Sequence, residues 1–247
     1  MQKKVYFNNQ VGEKIVGILH TPNKNTKKAI IMVHGFTGHK EGYFTLGLSN
    51  LLEKNYNLLR YDFSGNKESE GKFEDQSYSK YIEELHLAIE FMKNKGFKEI
   101  ILVGHSLGAT ISLFEYQKYK DSDKIIFIAP AFYLKKKFML SMVLRFFITL
   151  IKGKINYKDA FGNEITLKRK FFTERLFVYK KHKALKILNI PSLGILAEKD
   201  KSINNKKCEK LFKKYNLKYY IIKEAAHNFR EEKYLKEVSS YILKWLK

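Results

Sequence analysis

Along the first half of the chain, short apolar runs alternate with longer segments whose apolar residues recur every three or four positions. Val5–Phe7 and Lys14–His20 read as an antiparallel pair, followed by the polar turn Thr21–Lys28. Ala29–Val33 (AIIMV) is apolar throughout and ends in His-Gly, the pattern of a buried strand. Phe44–Lys54 has helical spacing, Asn57–Tyr61 is strand-like, and Asp62–Gly71 is a loop. Ser77–Lys95 predicts a long amphipathic helix with Tyr81, Leu85, Ala88, Ile89 and Met92 on one face, closed by Gly96. Glu99–Val103 predicts a strand, Ser106–Lys118 a helix and Lys124–Ala129 a strand. After Pro191 the alternation resumes with strand Ser192–Ala197, helix Ile203–Tyr215, strand Leu217–Ile222 and helix Glu231–Leu246. Repeated βα units predict an α/β fold: a mostly parallel sheet with right-handed crossovers and helices on both faces.

Residues 131–187 break this pattern. They are basic and aromatic, show no clear buried strand, and are expected to be helical. The chain therefore divides into a core, residues 1–130 and 188–247, and a helical cap or lid insertion, residues 131–187. Within the insertion, Phe138–Ile151 (FMLSMVLRFFITLI) carries one charge, Arg145, and is flanked by Lys135–Lys137, Lys152 and Lys154. It is too short for a membrane span. Two readings fit it: a helix whose apolar face roofs a pocket, or a lipid-facing helix whose lysines meet anionic head groups. Tyr133, Tyr157, Phe161, Phe171 and Phe172 are candidate pocket walls, although aromatics at such spacing also serve as packing.

With 247 residues, 45% hydrophobic and 15% aromatic, the chain can bury a full core, which excludes a disordered tail. A single cysteine, Cys208, excludes a disulfide scaffold and fits a reducing compartment. The N-terminal MQKKVYFNNQVGEK lacks the apolar stretch of a signal peptide, so a cytoplasmic location is expected. The net charge of +22 suggests anionic partners. However, lysine supplies 42 of the 47 basic residues and arginine only 5. Nucleic-acid readers favour arginine, so a lysine-heavy coding bias is the blander explanation and no nucleic-acid partner is expected. Residues 131–190 hold fifteen of the basic residues against three acids, Asp159, Glu164 and Glu174. Peripheral contact with an anionic membrane through this basic insertion is the partner that distribution suggests.

Gly104-His105-Ser106-Leu107-Gly108 follows the strand-like EIILV and opens a helical stretch. G-x-S-x-G between a strand and a helix holds its serine in a strained turn, hydroxyl raised above the strand ends. The helix behind Ser106 offers free N–H groups and a partial positive charge. A plain N-cap serine after a glycine turn is the alternative. A serine hydroxyl needs a base, and folds that use this turn order the chain as serine, acid, histidine. Only His182 and His227 follow Ser106. His182 lies in the run KKHK and reads as a solvated face. His227, in EAAHNF, falls just beyond the strand LKYYII, where active sites of parallel sheets assemble. The acid should follow the preceding strand, SLGILA. Asp200 is the choice and Glu198 the fallback, while Asp62 reads as a structural loop residue. Backbone N–H groups of Leu107 and, from His34-Gly35-Phe36-Thr37-Gly38, of Phe36 are the candidate oxyanion donors. His34 itself reads as a structural hydrogen-bonding residue.

HGFTG at 34–38, YDFSGNKESEG at 61–71, VGHSLG at 103–108, AEKD at 197–200 and AHNF at 226–229 together resemble the α/β-hydrolase superfamily. Within it they are similar to small bacterial cinnamoyl and feruloyl esterases and to serine aminopeptidase-like and monoacylglycerol lipase-like hydrolases. The resemblance covers nearly all of the core. It implies a mostly parallel eight-stranded sheet with a cap inserted after the sixth core strand. It also implies a triad of Ser106, Asp200 and His227, with Phe36 and Leu107 as oxyanion donors. It implies a small-molecule ester substrate and no metal or organic cofactor. The cap is unusually basic, which leaves acyl and alcohol specificity open. A lysophospholipase or monoacylglycerol lipase-like activity on longer chains is the runner-up, motivated by the apolar, basic cap. A peptidase fits less well, because no acidic cluster in the cap offers to bind an amino terminus. A non-catalytic binding module on the same fold is the remote alternative.

Overall fold

The alternating pattern becomes a sheet and its covering helices in the computed structural model, which describes residues 2–22, 26–158, 162–178 and 180–247. Its strands are β1 (Gln2–Asn8), β2 (Lys14–His20), β3 (Lys28–Val33), β4 (Asn57–Tyr61), β5 (Glu99–His105), β6 (Lys124–Ile128), β7 (Lys154–Lys158), β8 (Glu164–Lys168), β9 (Ser192–Ala197) and β10 (Lys218–Ile222). Its helices are α1 (Tyr43–Leu52), α2 (Tyr78–Asn94), α3 (Leu107–Tyr119), α4 (Lys136–Lys152), α5 (Arg169–Thr173), α6 (Lys181–Lys186), α7 (Asn205–Lys214) and α8 (Glu232–Leu246). Eight strands form one sheet in the order β1-β2-β4-β3-β5-β6-β9-β10, and only β2 runs against its neighbours. This is the α/β-hydrolase fold.

The central strands are buried on both faces, which is why they read as unbroken apolar runs. Along β3, Ala29, Ile31 and Val33 pack into one core cluster with residues of α2, α3 and α7. Ile30 and Met32 pack into a second cluster with α1 and α8. The parallel strands β3 and β5 meet in register at Val33 and Gly104, so their C-terminal ends finish side by side. Helix α2 starts at the Ser77 cap, whose hydroxyl accepts from the Lys80 N–H, and ends before Gly96, at φ +91°.

Between β6 and β9 the chain leaves the sheet. The segment contains α4, α5, a π-helical turn (Glu174–Val178) and α6, but it also contains an antiparallel ribbon of β7 and β8. The expectation of a purely helical insertion is corrected on this point. Ile155 pairs with Leu167 and Tyr157 with Ile165, so one face of the ribbon is apolar while Lys154, Asn156 and Lys158 point away from it. A short β-bridge from Leu134 to Ile203 and hydrogen bonds from the Ser79 N–H and hydroxyl to Glu174, both 2.8 Å, tie the segment to the core.

Candidate active site

Ser106 sits between β5 and α3 at φ 54°, ψ −111°, a region an L-residue enters only under strain of about 1–3 kcal/mol. Gly108 makes that turn feasible, because a Cβ there would lie 2.1 Å from the Val33 carbonyl oxygen. Helix α3 can therefore begin directly against the end of β3.

The structure brings together the three side chains expected from the sequence. Ser106 Oγ lies 2.9 Å from His227 Nε2, and His227 Nδ1 lies 2.6 Å from Asp200 Oδ2. The carboxylate at Nδ1 holds the ring proton there and leaves Nε2 to accept from the serine hydroxyl. Asp200 is 2% exposed, and its Oδ1 accepts from the Ser202 and Ile203 N–H groups at 2.7 and 2.9 Å. Burial pushes its carboxyl upward. The His227 hydrogen bond and charge and the two N–H groups prevail and hold it below the ordinary aspartate value.

His227 is positioned from behind. Its carbonyl accepts from His105 Nε2 at 3.0 Å, and the His105 ring stacks on Phe44 at 4.2 Å between centroids. Burial drives His105 down to about 3, with His227 adding to the effect. His34 behaves as expected of a structural residue: Nδ1 donates to the Gly35 carbonyl at 2.8 Å, and Nε2 accepts the Phe63 N–H at 3.1 Å. Burial lowers it to about 4. Two neutral imidazoles therefore brace the loops on either side of Ser106.

The Phe36 and Leu107 residues both line the cavity above Ser106, and among the described residues neither backbone N–H is spent on a backbone acceptor. The Phe36 ring packs against Phe73 and Phe171. Glu198 is exposed and accepts the Glu224 N–H, so it does not compete for His227. Asp62 is fully buried and pairs with Lys40, accepting from Nζ at 2.7 Å and from the backbone N–H at 2.6 Å. His182 is exposed and hydrogen-bonded to the Tyr133 hydroxyl at 2.6 Å. Tyr133 is not among the residues that line the pocket, unlike Tyr157, Phe171 and Phe172. Phe161 lies outside the described residues.

The cavity measures about 1030 Å³ and is walled on one side by the core and on the other by the inserted segment. Helix α4 shows it Phe138, Ser141, Met142 and Arg145, a stripe at helical spacing. Sequence reasoning missed Arg175, on the π-helical turn, whose guanidinium donates to the Ala131 carbonyl at 2.6 Å. The π-helical turn follows directly on α5, and the sequence TERLFV carries no mark of it.

The chain is similar to known proteins over most of its length. A family model described as serine aminopeptidase, S33, matches residues 24–160. A Mycoplasma pneumoniae protein named "Putative esterase/lipase 3" is 24% identical, over 95% of this chain and 93% of its own. Est1E from Butyrivibrio proteoclasticus, solved with ferulic acid bound, superposes with a TM-score of 0.78 at 20% identity, covering 98% of this chain and 99% of that one. An esterase from Pyrococcus furiosus superposes at 0.74 and 18% identity, covering 100% and 90%.

Proposed function

The chain belongs to the family described as serine aminopeptidase, S33, among the α/β-hydrolases, and we propose that it is a serine hydrolase that cleaves carboxylic esters with short or aromatic acyl groups. The observation that carries this reading is the unbroken hydrogen-bond path from Ser106 Oγ through His227 to the buried Asp200. In this mechanism His227 takes the Ser106 proton as the hydroxyl attacks the acyl carbonyl, and Asp200 holds the ring and balances its charge. The Phe36 and Leu107 N–H groups bind the oxyanion. The alcohol leaves with the proton from His227, and water activated by the same ring releases the acid. The insertion acts as a cap over the substrate, with Tyr157, Phe171 and Phe172 as apolar walls. Among the described residues the cavity lining contains no Asp or Glu, which argues against binding the amino terminus of a peptide.

The test is hydrolysis of p-nitrophenyl esters from two-carbon to sixteen-carbon acyl chains, followed by hydroxycinnamate esters, since a structural neighbour was solved with ferulic acid. Ser106→Ala should lower turnover by on the order of 10⁴ or more while the fold persists. Unchanged turnover in that variant sinks the assignment.

A second reading, lipase-like action on longer chains at an anionic membrane surface, is favoured by α4. Leu140, Leu144, Phe147 and Ile151 form an outward stripe, each between 57% and 88% exposed. Lysines 135–137, 152 and 154 flank it. This arrangement suits an interfacial helix. Long-chain turnover raised by anionic but not neutral vesicles would favour this reading, and an optimum at short chains without vesicle effect would remove it.

A further inference from the structure

Lysines are everywhere in this chain, so their presence around a cavity says little. Arginines are scarce, and three of the five, Arg145, Arg175 and Arg230, line this one cavity. Of the other two, Arg60 is buried and reaches the Lys40 carbonyl, and Arg169 is exposed. Lys67, Lys137 and Lys158 add to the same lining, and among its described residues there is no carboxylate.

Arg175 is the telling member. It is 8% exposed, and among the described residues no carboxylate pairs with it. The adjacent Glu174 is turned away, both its oxygens accepting from Ser79. One guanidinium N–H is used on the Ala131 carbonyl, and the Tyr78 ring lies 5.9 Å away. The Ala131 N–H in turn donates to the Ser106 carbonyl at 3.0 Å. The guanidinium is thus held one residue from Ser106, at the cavity wall, with N–H donors to spare. A cation so far removed from water is costly unless an anion meets it. Arg145 is held flat over the Tyr157 ring at 3.7 Å, so it too is oriented rather than waving in solvent. Guanidinium forks match the paired oxygens of a carboxylate or phosphate.

We propose that the cavity takes an ester bearing a second, anionic group, a carboxylate or a phosphate, and that Arg175 binds it while Arg145 and Arg230 draw it in. This rests on the ester-hydrolase reading above and names the class of ester. Arg175 is here a specificity residue and takes no part in proton transfer.

The test compares two pairs of esters at equal ionic strength: monomethyl adipate against methyl hexanoate, and glycerol 3-phosphate monobutyrate against glycerol monobutyrate. The unmodified protein should favour the anionic member of at least one pair by on the order of tenfold or more in kcat/KM. The better pair identifies the anion. The preference should sit in KM and shrink at high salt. Arg175→Gln should drive the ratio toward one and Arg175→Lys should retain part of it. A merely structural arginine would lower both members of a pair and leave their ratio intact, which would overturn the assignment to Arg175. A ratio near one in both pairs, measured on the unmodified protein, overturns the proposal without any variant having to fold. If Ser106 still labels with a fluorophosphonate probe in that case, the ester-hydrolase reading stands alone. If Ser106 does not label and no ester turns over, both fall.

Discussion

The two neutral histidines beside Ser106 make the fold sensitive to mild acid. In the unfolded chain each titrates near 6.5, whereas in the native state burial lowers His34 to about 4 and His105 to about 3. Between those values and 6.5 the unfolded state binds more protons, so stability is full above pH 6.5 and falls with falling pH. Each histidine contributes a slope of up to about 1.4 kcal/mol per pH unit, and by pH 5 each has cost about 2 kcal/mol. The pair therefore removes about 4 kcal/mol, a large share of the roughly 5–15 kcal/mol that holds a domain together. The buried Glu84 and Glu115 shift upward by desolvation and offset part of the slope below their own midpoints, and His86, raised by its Glu115 hydrogen bond, opposes it near neutrality. A variant isolates the effect. His34→Gln keeps an acceptor for the Phe63 N–H and a donor for the Gly35 carbonyl but cannot titrate. Urea unfolding followed by the fluorescence of the single tryptophan, Trp245, should give a slope near pH 5 that is shallower in His34→Gln by about 1.4 kcal/mol per pH unit. Parallel slopes for the two proteins would refute the reasoning.

The strain at Ser106 predicts that Ser106→Gly unfolds later than Ser106→Ala, by about 1 kcal/mol, because only glycine accepts φ 54°, ψ −111° at little cost. Equal midpoints in paired thermal melts would mean the turn is not strained. Lys40 and Asp62 are buried as a pair, so Lys40→Met strands the carboxylate and should cost about 3–5 kcal/mol. That corresponds to a drop in Tm on the order of 10 °C by calorimetry, and a drop of a degree or two would contradict it.

The core was legible because its strands are buried on both faces and its turns carry their own chemistry. AIIMV and SLGILA could be little else than central strands, and each sits within a residue of its expected place. Ser106, Asp200 and His227 were singled out by the strands they follow, which needs no long-range information, and the structure brings the three side chains within hydrogen-bond reach. The β7–β8 ribbon was hidden because its outward positions are lysines, so KINYK reads as charge rather than alternation, although Gly162-Asn163 marks a turn between the strands. The Lys40–Asp62 pair and the reach of Arg175 to Ala131 depend on which distant loops become neighbours, and no local pattern encodes that. Tyr133 lies outside the pocket lining, its hydroxyl bonded to His182, which is exposed as its lysine-rich run suggested.

The segment between β6 and β9 is stitched into the molecule from two sides. Glu174 caps the first turn of α2, and Leu167, Phe171, Phe172, Ala184 and Leu185 lie in the same apolar cluster as α2 and α3. It is consequently no exchangeable module. Cutting it out would uncap a core helix and open the larger of the two cores, and grafting another in its place would have to restore both. A lineage altering what this pocket admits is left with single replacements on the cavity side, at positions such as Met142, Arg145 and Tyr157, while the scaffold behind them stays fixed.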